Sequence, residues 1–280
     1  MQFIQETGNK SSIFKQYSHA DFSTYMHVDR TVYAFIEDGF FFEFVFDFEK
    51  KILYWFQQLQ FNSSTEEEVP HSLFFKTQLN NRKFIFNPIE IALIPVEFFG
   101  NDVPRTDFSE YLIHSNKVVM SSKNEELNLK SITPDFSLVD ATLKYVVSNK
   151  ENHFENTKNT ILITKNKNIF HLVLLKGKDP LFVNTFPASS NEEMLYFVLS
   201  VISDFGILQD NTEVIVVNFQ LLTEETITFF DSYFAKVTGL EYQIAEEFKQ
   251  KSDISFLTEK QNLHYYLYFT ASQCELQEGF

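Results

Sequence analysis

Between Thr160 and Phe219 the apolar positions gather into four short runs and one longer stripe with helical spacing. Thr160 to Lys165 (TILITK) is β-branched and apolar, the polar turn Asn166-Lys167-Asn168 follows, and Ile169 to Leu175 is a second apolar run. The two predict a hairpin. Lys176-Gly177-Lys178-Asp179 turns the chain into Leu181 to Phe186, bounded by Pro180 and Pro187, which have no N–H to give a ladder. Ser190 precedes Glu193 at capping-box spacing, and Met194, Val198, Val201 and Phe205 recur at helical intervals up to Gly206, a left-handed stop. Glu213 to Phe219 (EVIVVNF) is the near-continuous apolar run of a strand covered on both faces. Thr223 then caps a second helix carrying Ile227, Phe230, Phe234 and Val237, ended by Gly239. The predicted order is β-β-β-α-β.

The first half repeats the opening of that order. Thr31 to Ile36, the hairpin signal Asp38-Gly39 and Phe40 to Phe48 predict two paired strands, and Ile52 to Phe61 a third. Phe40, Phe42, Phe44, Phe46 and Phe48 alternate onto one face, Phe41, Glu43, Val45 and Asp47 onto the other, which predicts one core face and one partly covered. Asn62 to Glu68 opens a helix in the crossover position, with Leu73, Phe74 and Leu79 following. Lys83 to Phe86 and Ile89 to Pro95 read as extended, the latter as the fourth strand, and Asp107 to Ile113 as a short helix. Lys117 to Met120 and Leu127 to Ile132 read as strands or loops, and Ser137 to Val147 as a helix. The polar stretch Ser148 to Asn159 reads as a linker, and Leu263 to Phe269 (LHYYLYF) as a strand added to the second sheet. The expected divisions are a lead-in over 1–29, ordered locally around Ile13 to Tyr17, an N-terminal subdomain over 30–150 and a C-terminal one over 151–280.

A chain of 280 residues can bury about three quarters of its unfolded surface. Its 34 phenylalanines argue against disorder. A formal charge of −15 disfavours nucleic acid and anionic lipid surfaces. One cysteine, Cys274, allows no intramolecular disulfide. With no window apolar enough for a membrane span, a cytoplasmic protein is expected.

Three antiparallel strands followed by a helix and a parallel strand resemble the ribonuclease-H-like unit, and two such units in one chain resemble the ground plan of the actin-like ATPases. The fold class is thus α/β, with two ribonuclease-H-like subdomains of actin-like ATPase type. Glu37-Asp38-Gly39-Phe40, Leu93-Ile94-Pro95 with Phe98-Phe99 and Tyr111-Leu112, and Asn184-Thr185-Phe186 with Glu193-Met194-Leu195-Tyr196 resemble a family of uncharacterised bacterial proteins, a domain of unknown function with that fold. The family implies a fold and no activity.

Actin-like ATPases grip phosphate on glycine-containing turns after the first strand of each half, because backbone N–H groups approach an anion only where side chains are small. The seven glycines of this chain stand in hairpins, at helix ends, near the termini and after Phe99. None is left for a phosphate loop. The corresponding turns are acidic at Asp38-Gly39 and basic at Lys165 to Asn168, and the resemblance implies that they face each other across a cleft. Asp38, Gly39, Lys165 and Lys167 are therefore the cofactor-binding candidates if a nucleotide binds at all. No catalytic residue is assigned and no cofactor is predicted, Mg-ATP entering only in the alternative of a divergent ATPase. Nuclease carboxylates could be sought at Asp29, Glu37 and Glu66, but surface charge is the better account. The histidines lack metal spacing, so no metal is expected, and His171 reads as a satisfied sheet histidine. The function expected is a non-catalytic actin-like scaffold that binds a protein partner.

Overall fold

The computed structural model describes residues 13–18, 20–22, 31–37, 40–47, 50, 52–60, 72–77, 81–95, 108–114, 117–122, 135–149, 159–218, 223–241, 244 and 265–275. The chain packs as two compact units that interleave in sequence. One takes Met1–Phe86, Asn124–Phe136 and Phe248–Ile254, and the other takes Asn87–Lys123, Ser137–Glu247 and Ser255–Phe280.

The first unit is built on a six-stranded sheet. Its strands are β1 (Ile13–Ser18), β2 (Val32–Glu37), β3 (Phe40–Asp47), β4 (Ile52–Gln60), β5 (Arg82–Phe86) and β9 (Phe136–Ser137), in the order β1-β4-β3-β2-β5-β9. β2, β3 and β4 form the expected meander, with Glu37 opposite Phe40 at the first hairpin. The lead-in supplies an edge strand, since β1 pairs antiparallel with β4. The fourth strand of the plan is β5, which lies parallel to β2, and not Ile89 to Pro95. Both faces of β3 are covered: Phe41, Glu43 and Val45 are as buried as Phe42 and Phe44, against the expectation of one partly covered face. Phe41 and Val45 join Val32, Ala34, Phe74 and Phe84 in one cluster, so the face carrying the carboxylate is core too. Of the crossover segment, Asn62 to Glu68 lies outside the described residues, and helix α1 (Leu73–Lys76) is a single turn.

The second unit holds a five-stranded sheet of β10 (Asn159–Asn166), β11 (Ile169–Lys176), β12 (Asp179–Pro187), β13 (Thr212–Asn218) and β14 (Lys236–Gly239), in the order β12-β11-β10-β13-β14. Helix α3 (Asn191–Asp204) crosses over between β12 and β13, and β13 runs parallel to β10, as the pattern predicts. Ile161, Ile163, Leu172, Leu174, Val214 and Val216 pack with Met194, Val198 and Val201 of α3 and with Phe230. Gly206 has φ +64°, its N–H donates to the Ser203 carbonyl and the Ile207 N–H to the Ile202 carbonyl, the paired bonds of a glycine helix stop. Helix α4 (Thr223–Asp231) stops sooner than predicted. Val237 and Gly239 belong to β14, which adds in parallel to β13, with Lys236 opposite Glu213 and their charged groups 2.6 Å apart. The cross-strand ion pair and ladder outweigh a helical period carried by only a few apolar residues.

The same unit carries a three-stranded antiparallel sheet of β6 (Ile91–Pro95), β7 (Phe108–His114) and β8 (Lys117–Ser122), in the order β6-β8-β7. Where a helix is expected over Asp107 to Ile113, the described residues from Phe108 are strand; pairing of Tyr111 with Val119 and Leu112 with Val118 decides a stretch too short for its period to do so. Helix α2 (Leu138–Asn149) starts where expected, the Ser137 hydroxyl accepting from the Asp140 N–H at 3.2 Å. Of the strand expected over Leu263 to Phe269, the described part from Tyr265 is helical instead: helix α5 (Tyr265–Glu275) packs against α2, and each residue from Tyr265 to Ser272 is buried. A helix covered on all sides shows no amphipathic period, and its tyrosines and phenylalanines carry strand propensity. Leu127 to Ile132 and most of the linker lie outside the described residues.

Candidate functional site

The register of the five-stranded sheet gathers several chain segments at one end. Lys165 lies opposite Phe170 on one side and Asn218 on the other, and Phe170 opposite Phe186. The β10–β11 turn, the end of β12 and the start of α3 therefore meet. Lys167 takes φ +52° in the turn, and the Ala188 N–H donates to the Asn168 carbonyl at 2.9 Å, tying the turn to the segment that enters α3. Between them is a groove of about 680 Å³, lined among others by Asn168, Pro187, Glu192, Glu193, Tyr196 and Phe197.

Side chains of the first helical turn set the chemistry of the groove. Ser190 caps α3 by accepting the Glu193 N–H at 3.3 Å. The Glu193 carboxylate reaches back not to Ser190 but to Ser189, accepting its N–H at 2.6 Å and its hydroxyl at 2.9 Å. Those bonds, led by the Ser189 amide, hold Glu193 below the usual carboxylate range. Its own amide and then the Ser190 hydroxyl do the same for Glu192. Both carboxylates are exposed and charged at neutral pH. The other wall is aromatic: Phe197 stacks on Phe186 with centroids 4.6 Å apart, and Tyr196 meets Phe197 edge to face at 5.4 Å. Tyr196 is 67% exposed. It lies off the Met194, Val198 and Val201 stripe, and an aromatic residue on the polar side of a capped helix is the signal that could have singled it out.

Of the candidates from the sequence, Lys165 and Lys167 stand at this end of the sheet, Lys165 half-buried and Lys167 exposed. Asp38 and Gly39 lie outside the described residues, as do Asp29 and Glu66. Glu37 ends β2, half-buried. Among the described residues no group of three or more His, Cys, Asp and Glu side chains could hold a metal ion.

Two buried titratable groups carry structural work instead. His171, 0% exposed, bonds through Nδ1 with the Thr185 hydroxyl at 2.9 Å and through Nε2 with the Pro88 carbonyl at 3.2 Å, the satisfied sheet histidine expected. The Thr185 hydroxyl also accepts the Ile91 N–H at 2.9 Å, so this chain of bonds fastens the three-stranded sheet to β12. Burial brings His171 down to about 4. In the first unit Glu43, also 0% exposed, accepts from the Ser72 hydroxyl at 2.6 Å and from the Leu73 and Phe74 N–H groups at 2.8 and 2.9 Å. Burial raises its carboxyl above the ordinary value despite those bonds. Nothing in the alternation of β3 marks Glu43 as a helix anchor, since its partners lie about thirty residues away in sequence.

Residues 118–237 match the model of a family described as protein of unknown function (DUF3822). Those residues, less than half of the chain, are thus similar to an uncharacterised family, and the chain's fold is of actin-like ATPase type. No curated protein matches the sequence. A solved protein of Bacteroides thetaiotaomicron VPI-5482, with actin-like ATPase fold and unknown function, is 12% identical, and the likeness covers 84% of this chain and 100% of that one at a TM-score of 0.60. The PilM-PilN type IV pilus biogenesis complex is 8% identical over 88% of this chain and 98% of that one, at a TM-score of 0.57. At such identities the likeness speaks for the fold, two mixed sheets with their helices. No helix among the described residues is long and apolar enough to cross a membrane.

Proposed function

We propose that this chain is a non-catalytic actin-like module, located in the cytoplasm, that binds a protein partner. The observation that carries the reading is the start of α3. A helix N-terminus beside a turn is a ready anion site, but here Glu193 and Ser190 take its donors and two carboxylates put negative charge where a phosphate would sit. The neighbouring turn Lys167-Asn168 has no glycine, and the Ala188 N–H beside it is already spent on the Asn168 carbonyl. An exposed tyrosine and an apolar groove beside those acids suit a peptide better than a nucleotide. That one solved structure of similar fold is itself a complex of two proteins, PilM and PilN, supports the same reading.

Thermal melting of the purified protein with and without millimolar Mg-ATP tests it. A ligand that binds only the folded state adds about 2.7 kcal/mol at a hundredfold excess over its Kd, so a binder must raise Tm. We expect no shift. A saturable rise specific to adenine nucleotides would overturn the reading in favour of a divergent ATPase, with Lys165 and Lys167 as the residues to replace next.

A further inference from the structure

We propose that the groove at the start of α3 receives a short segment of a partner protein in which an arginine or lysine stands beside an apolar or aromatic residue. This rests on the partner-binding reading above and adds the chemistry of what binds. The groove has two kinds of wall. Pro187, Tyr196 and Phe197 make an apolar side, and its volume of about 680 Å³ is enough for several side chains. Tyr196 offers a large ring held by its contact with Phe197, the kind of rigid aromatic surface that anchors interfaces at small entropic cost. Glu192 and Glu193 make the other side. Each spends part of its carboxylate on the helix start and keeps its negative charge toward solvent.

A guanidinium or ammonium group beside Tyr196 and Glu192 would gain a ring face and a charged acceptor together, which is the pairing arginine serves best. The whole chain adds to this complementarity, because a net charge of −15 draws in basic segments and repels a second copy of itself. Lys167, exposed on the turn that ends in Asn168, sets an orientation: the cationic residue belongs over the helix, and the residue over the turn is neutral or acidic.

Panning a random-peptide phage library on the full chain, followed by fluorescence anisotropy of the enriched peptides, tests the proposal. Peptides carrying Arg or Lys next to an apolar residue are expected. Their Kd should rise at least tenfold on Tyr196→Ala and on Glu192→Lys, two exposed positions whose variants should still fold cooperatively, Glu192→Lys melting slightly lower for the loss of an acid in the first helical turn. Enriched peptides without a basic residue, or no enrichment, would overturn the groove. So would basic peptides whose Kd neither variant moves, although these would leave the partner-binding reading standing with its site elsewhere. That reading fails separately, by a nucleotide-dependent rise in Tm.

Discussion

The two large sheets share an order of strands and differ in what fills them. The first is packed with rings: Phe35 stacks on Phe42 at 4.7 Å, Tyr33 on Phe44 at 5.3 Å and Phe41 on Phe75 at 5.4 Å. The second is packed with branched aliphatics from β10, β11 and β13, interdigitated with α3 and α4. A meander with a parallel fourth strand thus constrains which faces are apolar and leaves the choice of side chain open. The polar anchors differ as well. The aromatic sheet holds a one-turn helix through a buried carboxylate, and the aliphatic sheet holds a neighbouring sheet through a buried imidazole.

Removing the carboxylate should have the largest effect. Glu43→Ala leaves the Ser72 hydroxyl and the Leu73 and Phe74 amides without their acceptor in a dry site, a loss of about 4 kcal/mol in urea denaturation. Glu43→Gln should recover part of it. A cost for Glu43→Ala under about 1 kcal/mol would mean that the carboxylate is not what fastens α1.

The pH dependence separates the two anchors by sign. His171 is depressed from 6.5 to about 4, so between those values the unfolded chain binds the extra proton. Its contribution is complete above pH 6.5 and falls by about 3 kcal/mol as the pH drops to about 4. Glu43 runs the other way: its carboxyl is raised, so its contribution is complete below its ordinary value of 4.5 and declines as the pH rises through the folded value. Urea midpoints measured from pH 4 to 7 should show a shallower slope for His171→Gln than for the parent. An unchanged slope would mean that the imidazole is not the group protonated on unfolding.

The smallest effect lies at the end of α3, within the aliphatic unit. A Cβ placed on Gly206 meets nothing within 4 Å, so Gly206→Ala tests backbone strain alone at φ +64°. It should cost about 1 kcal/mol in thermal melting. A larger loss would show that the helix end is coupled to the packing of the sheet.

The second sheet was the more legible because its strands are short β-branched runs between glycine, proline and polar turns, and α3 carries its cap and its stop in its own sequence. Local signals failed where distant partners decide. β7 becomes a strand through β8, and β14 through β13. α5 is helical although its aromatic run has no polar face to betray a period. The groove was half legible: the Ser190 and Glu193 spacing located the helix start, but only the fold brings the Asn168 turn beside it.

The packing of α5 on α2 has a consequence for synthesis. A ribosome releases α2 well before α5, with the whole five-stranded sheet made in between. During that interval the surface of α2 that α5 will cover has no native partner, and a nascent chain in this state leaves it open to chaperones. Shortening the chain before Tyr265 would make that transient exposure permanent.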